Sequence, residues 1–274
     1  MRFSNRNRAA DITVLAAAVV FALAVRGPAP FLGLAVLALV FVPLERRLPL
    51  RRQRTLRSGL STDLVHLLVN NVLVTVAAIG FAMALSLPLL WARRLDIESS
   101  LPTSAAIALA LCVAFVGNYW GHRLGHTVPL LWRFHSVHHS IAQMDWLASG
   151  RLHPLDSALT QSLTIAPLLV LGYGGGTLAG ATVVVVVIAL FQHANTRLRL
   201  PVVRWVVNTP EWHHWHHSTD DAARDKNFGL PIVDLVFGTA YLPKGVGPSG
   251  FGTTEPVPQD SYLRQMAYPF TSAR

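Results

Sequence analysis

SAAIALALCVAFVGNYWGHRLGH, Ser104 to His126, is an apolar run that ends at Trp120 and passes without a break into Gly121-His122-Arg123-Leu124-Gly125-His126. The run is of the order of the 20 residues that cross a hydrocarbon core as helix. If that helix continues, the i,i+4 spacing sets His122 and His126 on one of its faces. A membrane span therefore delivers two imidazoles directly at its end.

Working outward, the whole chain carries the same character. Its 274 residues are 52% hydrophobic and 14% charged, with a positive mean hydropathy. That composition belongs to a protein that sits in lipid. Six apolar stretches qualify as spans: Ile12 to Val25, Phe31 to Pro43, Leu64 to Trp91, Ser104 to Trp120, Leu155 to Leu171 and Thr177 to Phe191. The first two form a hairpin around Arg26-Gly27-Pro28. The third is long enough to tilt, or to kink near Pro88. The last two flank Gly172-Tyr173-Gly174-Gly175-Gly176 and either cross fully or re-enter. The expected fold is an all-α polytopic membrane bundle of about four to six helices with a histidine-rich helical cap.

Arginine placement orients this bundle, because short basic loops stay cytoplasmic. Arg2, Arg6 and Arg8 precede the first span, and Arg46, Arg47, Arg51, Arg52, Arg54 and Arg57 follow the second. Arg93 and Arg94 point the other way. Six spans then bring every histidine group to the cytoplasmic face. The net charge of +9 is explained by these loops and by anionic headgroups, so no nucleic-acid partner is expected. Cys112 is alone, which leaves no intramolecular disulfide and no thiolate metal cage. The expected organisation is an N-terminal hairpin and basic loop over 1–59, a catalytic domain over 60–242 and an irregular tail over 243–274.

The chemistry lies in the histidines. Besides His122 and His126, the chain carries His135, His138 and His139, and later His213, His214, His216 and His217. Both triads have i, i+3, i+4 spacing and share a helix face, with His214 about 100° from His213. A lone His66 in the third span reads as a packed side chain. Clustered imidazoles at an interface are costly unless something coordinates them, and imidazole is the commonest metal ligand. No Cys and no His-Glu-x-x-His is available. Eight or nine imidazoles exceed what one ion uses and imply two, each with four or five ligands and a position for a small molecule. An oxygen-activating or a hydrolytic two-metal centre is open at this point.

The boxes His122-x3-His126, His135-x2-His138-His139 and His213-x2-His216-His217 resemble those of the sterol desaturase and fatty acid hydroxylase superfamily. Trp132-Arg133-Phe134, Arg151-Leu-His153-Pro154-Leu-Asp156, Gln192-His193-Ala-Asn195, Asn227-Phe228-Gly229, Asp234 and Phe237-Gly238-Thr239 add to the resemblance. It covers roughly 60 to 242. It implies a membrane di-iron enzyme that uses O2 and two electrons to hydroxylate or desaturate a lipid C–H bond, with zinc a substitute metal. The implied ligands are His122, His126, His135, His138, His139, His193, His213, His216 and His217. His153 is expected to shape the pocket or orient a ligand, and His214 to lie in an interfacial aromatic belt or near the metal. Asp156 and Asp220 are candidate acceptors for outward-facing imidazole N–H groups, weighed against capping or surface roles. No residue beyond the metal centre is assigned to catalysis.

Electrons must come from a separate ferredoxin or cytochrome with its NAD(P)H reductase, since the chain has no cysteine set for an iron–sulfur cluster. Gly174-x-Gly176-x-x-Ala179 fits a dinucleotide fingerprint only nominally, because no strand precedes it. The substrate classes left open are sterol, fatty acyl chain, sphingoid base, alkyl ether and carotenoid. The rivals are a membrane di-zinc hydrolase and a non-enzymatic metal-handling protein. Almost wholly apolar first, second and sixth spans argue against a transport path. An Ala-, Val-, Leu- and Arg-rich composition suits a bacterial inner membrane.

Overall fold

The computed structural model describes residues 13–17, 19–20, 23–24, 27–54, 57–259 and 261–271. The expected first span, Ile12 to Val25, lies partly outside the described residues. The chain is helical, and the described residues contain no strand, only the isolated bridges Pro49 with Thr196 and Ser218 with Phe251. The helices are α1 (Ala29–Arg47), α2 (Leu60–Ser86), α3 (Ile97–Ser100), α4 (Thr103–Thr127), α5 (Pro129–His139), α6 (Pro154–Val170), α7 (Gly175–His193), α8 (Pro210–His216), α9 (Pro231–Val236) and α10 (Tyr262–Thr271).

Three helical segments among the described residues are long and apolar enough to cross a membrane: Val74–Ser100, Thr103–Thr127 and Gly175–His193. The kink expected near Pro88 takes the form of a change of helix type. α2 ends at Ser86, and Leu87–Leu95 continues as a 3-10 helix, since proline offers no N–H to an α-helical ladder. Much of the bundle's outside is apolar. Val76, Ile79, Met83, Ile107, Val183 and Val187 are exposed, a surface suited to acyl chains rather than water.

α6 packs between α2 and α4. Small residues on α4 make that approach close. Ala106, Ala110 and Ala114 recur every fourth residue, are buried, and form one apolar cluster with Leu168, Tyr173 and Ala181. Gly117, Gly121 and Gly125 continue the stripe. A Cβ on Gly117 would run into the Leu163 carbonyl, and one on Gly121 would lie 2.8 Å from Thr160 Cα. One on Gly125 would meet His135 at 3.2 Å.

The tail expected to be irregular after residue 242 ends in a helix, α10. The reason lies in its partners, which are far away in sequence. Gln265 and Tyr262 are buried. Gln265 Oε1 lies 2.5 Å from His66 Nε2, and Tyr262 packs edge-on against the His66 ring. His66 thus has the structural role expected of it, and contacts from the tail cross the residue 242 boundary. A buried ion network adds further ties: Arg57 bonds Asp145 at 2.6 and 2.7 Å and Asp63 at 2.6 Å, and Arg151 bonds Asp63 at 2.5 Å and Gln259 at 3.0 Å. Burial pushes the Asp63 carboxyl up, but the Arg151 and Arg57 guanidiniums outweigh it and hold it below the ordinary carboxylate value.

Candidate metal centre

The C-terminal ends of α4 and α7 meet the short helices α5 and α8, and the meeting point is made of imidazole. Nine ring nitrogens fall into two groups, and within each they lie within 4.8 Å of one another. His122, His126, His135, His139 and His216 form the first group, and His138, His193, His213 and His217 the second.

The structure divides each triad between the groups in the same way. His135 and His139 face one group and His138 the other; His213 and His217 face one and His216 the other. Helix geometry explains the division. At 100° per residue, positions i and i+4 are about 40° apart, while i+3 falls about 60° to the opposite side. A His-x2-His-His box on a short helix therefore feeds two neighbouring centres.

Six of the nine outward nitrogens face a protein oxygen, while Nδ1 of His213 and of His217 is buried without a partner. His122 Nδ1 donates to the Phe228 carbonyl at 2.6 Å, and His216 Nδ1 to the Lys226 carbonyl at 2.7 Å. His135 Nδ1 donates to Asp156 Oδ2 at 3.0 Å, and His126 Nδ1 lies 3.3 Å from Asp225 Oδ1. In the second group His138 Nδ1 donates to the Arg151 carbonyl at 3.0 Å and His193 Nδ1 to the Ala189 carbonyl at 2.6 Å. A neutral imidazole has one N–H, so in these rings the lone pair is on Nε2. Among these rings the Nε2 lone pairs of His138 and His193 face each other, and the remaining Nε2 atoms crowd in beside them. His138 and His193 Nε2 are 3.2 Å apart, His193 and His213 3.1 Å, His213 and His217 3.1 Å. The first group has separations of 3.0 Å between His126 and His139 and 3.1 Å between His139 and His216. His122 Nε2 and His135 Nε2 are buried without any partner. The two acceptor lone pairs of His138 and His193 cannot hydrogen-bond one another, and a cation between them removes the conflict. The spacing also fits: nitrogens about 2.1 Å from one ion lie about 3.0 to 3.4 Å apart between right-angle and tetrahedral arrangements.

Desolvation, followed by the neighbouring imidazoles, holds His138, His139, His213 and His217 well below the usual histidine value. Desolvation also brings His216 down to about 3. A ring that stays unprotonated keeps its lone pair available.

Of the expected supporting residues, Asp156 contacts the site through His135. His214 belongs to neither group. Its Nε2 is 3.4 Å from the His193 carbonyl and its ring packs on Phe251. His153 is also outside: Nδ1 accepts from Leu155 N at 3.2 Å as the cap of α6, Nε2 is 3.3 Å from the Met266 carbonyl, and the ring packs on Phe134. Asp220 accepts from Ser249 N at 2.9 Å and Oγ at 2.7 Å, shaping the loop at the mouth of the site. Sequence reasoning missed Asp225 and the carbonyls of Ala189, Arg151, Lys226 and Phe228, since a backbone oxygen has no residue type to read. The Asn-Phe-Gly and Asp234 motifs were the available signal. Asp234 accepts from Phe228 N at 2.9 Å, Gly229 N at 3.0 Å and Thr239 Oγ1 at 2.7 Å. Asn227, at φ +58°, bonds the Trp212 and Tyr241 carbonyls. Together they fix the loop whose carbonyls hold His122 and His216.

Two openings reach the groups from different sides. A polar mouth of about 330 Å³ exposes His126, His139 and His216 beside Trp132, Asp220, Asp225 and Glu255. A separate cavity of about 160 Å³ reaches His122, His135, His138, His193 and His213 and is walled by Phe115, Val185, Val186 and Ile188.

With this geometry in view, the comparisons with known proteins are consistent. A family model for fatty acid hydroxylase matches residues 107–239, the segment that carries all nine clustered histidines. Ornithine lipid hydroxylase OlsE of Rhizobium tropici is 30% identical over 236 residues, covering 83% of this chain and 71% of that protein. Alkylglycerol monooxygenase of Danio rerio is 28% identical over 220 residues, 72% of this chain and 46% of that protein. Very-long-chain aldehyde decarbonylase GL1-1 of Oryza sativa subsp. indica is 29% identical over 210 residues, 69% of this chain and 32% of that protein. The chain thus spans less than half the length of the last two. No solved structure matches it. The three ordered histidine boxes, the family match and the OlsE likeness together establish that the chain belongs to the fatty acid hydroxylase family, within the sterol desaturase and fatty acid hydroxylase superfamily.

Proposed function

We propose that this protein is a membrane-bound lipid oxygenase whose two histidine groups each hold one iron. The observation that carries the reading is the convergence of imidazole nitrogens in two adjacent groups, one of five and one of four residues. The relatives named as lipid hydroxylase and monooxygenase support the reaction class.

When bound, the two irons would supply the redox chemistry that activates O2 for attack on a C–H bond. The balanced overall change is one C–H, O2, two electrons and two protons giving one C–OH and one water. The chain's own residues set the conditions. The carbonyls of Phe228, Lys226, Arg151 and Ala189 and the Asp156 carboxylate fix ring orientation and tautomer. The apolar walls at Phe115, Val185, Val186 and Ile188 keep water from the reacting carbon. The polar mouth at His126, His139 and His216 is the side from which protons and a one-electron carrier of the ferredoxin or cytochrome class would arrive, separate from the lipid side. The basic loops support a cytoplasmic location for this side, and the Ala-, Val-, Leu- and Arg-rich composition supports a bacterial inner membrane.

The test is metal analysis of anaerobically purified protein beside His138→Ala and His216→Ala, which remove one nitrogen from different groups. About two irons per chain are expected, with each variant losing about one and with O2-dependent lipid oxidation abolished in both. Two zincs from iron-replete cells would favour a hydrolase instead, and no metal would end the proposal.

A further inference from the structure

The lipid-side cavity changes character along its length. Phe115 lies two turns before His122 on α4, and Val185 and Val186 about two turns before His193 on α7; Val186 is 45% exposed on the outer face of that helix. Toward the histidines the lining becomes polar: Asn118 lies about one turn before His122 and Gln192 next to His193, and Thr160, Gln161 and Asn208 line the same cavity. Gln192 Nε2 lies 3.3 Å from His213 Nε2. Asn208 is 2% exposed, and its buried Oδ1 has no partner. A buried amide atom without a hydrogen bond is costly, and this one lines a cavity. Polar side chains in a membrane bundle mark the part of a ligand they meet.

The lining also restricts charge. It includes no Lys or Arg, and its one acid, Asp156, is engaged by His135. A carboxylate or phosphate entering there would find countercharge only at the metal groups themselves, where it would occupy the position needed by a small molecule. A plain hydrocarbon would leave the amide of Asn208 unsatisfied.

We propose that the cavity receives lipids by an uncharged hydrogen-bond donor, an amide N–H or a hydroxyl, which donates to Asn208 Oδ1 beside the histidines while the chain runs out past Val186. Given the oxygenase reading above, on which this last point rests, oxidation falls on carbons adjacent to that group and not in mid-chain. Asn208 is a specificity residue: it holds the substrate and takes no part in the bond changes.

The test compares palmitamide, palmitate and hexadecane, which share a chain and differ in head group. The metal-loaded full-length protein is kept anaerobic, so that nothing turns over, and retention is read by native mass spectrometry from one detergent at matched micellar mole fraction. Palmitamide is expected to be retained at least tenfold better than either of the others. Asn208→Leu is expected to erase that preference while its metal content stays at the wild-type level. Equal or better retention of palmitate or hexadecane by the wild type would overturn the proposal, as would a preference that survives Asn208→Leu. Should that variant not retain metal, the three-ligand comparison on the wild type decides alone. Absence of O2-dependent lipid oxidation would count against the oxygenase reading only, because the retention is measured without O2.

Discussion

Five imidazoles of the centre, His122, His135, His138, His193 and His216, are oriented by an oxygen that accepts from Nδ1. Asp156 is the clearest case, because it is the buried carboxylate among them, 3.0 Å from His135 Nδ1, whereas Asp225 beside His126 is half exposed. Replacing Asp156 with Asn keeps the size and removes the charge that orients His135. Metal affinity or activity is expected to fall about 10- to 100-fold, with folding intact, as read by metal titration and thermal midpoint. Full wild-type affinity would show that His135 needs no such support. At this scale the sequence was a good guide. Eight of the nine histidines that the structure gathers were singled out by spacing, and His193 by the family resemblance alone. His153 was legible only as a motif residue, and its capping of α6 depends on backbone geometry. The oxygens that hold Nδ1 are mostly carbonyls from loops far along the chain, invisible to any reading of side-chain types.

Among the elements, the approach of α6 to α4 determines where Asp156 and the polar lining stand relative to His122. The small stripe Ala106, Ala110, Ala114, Gly117, Gly121 sets that distance, and Gly117 has the Leu163 carbonyl against it. Gly117→Ala places a methyl against backbone that cannot rotate away. A loss of about 1–3 kcal/mol is expected, seen as a lower thermal midpoint in detergent, with Gly80→Ala as a control where a Cβ meets nothing within 4 Å. An unchanged midpoint in Gly117→Ala would mean that the helices separate at little cost. Pro88 was read as a kink and becomes a change to 3-10 helix, since local chemistry specifies the interruption but not its geometry. The helix α10 had no such local cue. Its Gln265 and Tyr262 find His66 only once α2 is in place.

For the molecule as a whole, the buried charges tie the basic loop, α2, the segment after α5 and the tail together. Asp63 is shared by Arg57 and Arg151, and the Arg151 carbonyl holds His138. Asp63→Ala leaves the buried Arg151 guanidinium without a carboxylate and Arg57 with Asp145 alone. A cost of about 3–5 kcal/mol is expected, together with weakened metal retention in the group containing His138; stability within about 0.5 kcal/mol of wild type would show that the network is dispensable. Acid should act on the entire fold. In the unfolded chain the histidines take up protons below the ordinary value of about 6.5, whereas His138, His139, His213, His216 and His217 stay neutral when folded. The unfolded state therefore binds more protons as pH falls, so stability drops from about pH 6.5 downward and is flat above it. Thermal midpoints at pH 8, 6.5 and 5 check this: little change across the first interval and a clear fall across the second are expected, and a rise on acidification would contradict it.

The sequence by itself determined the helical membrane-bundle class, the identity of the clustered histidines and their capacity for two centres, because hydrophobic runs and i, i+3, i+4 spacings are local properties of a helix. Only the tertiary structure decided which imidazoles share a group, which oxygens orient them, and that a polar collar lies between them and the apolar walls. Those are relations between side chains brought together from α4, α5, α6, α7 and α8. Packing sets such relations, and the sequence records it only indirectly, as small residues where helices touch.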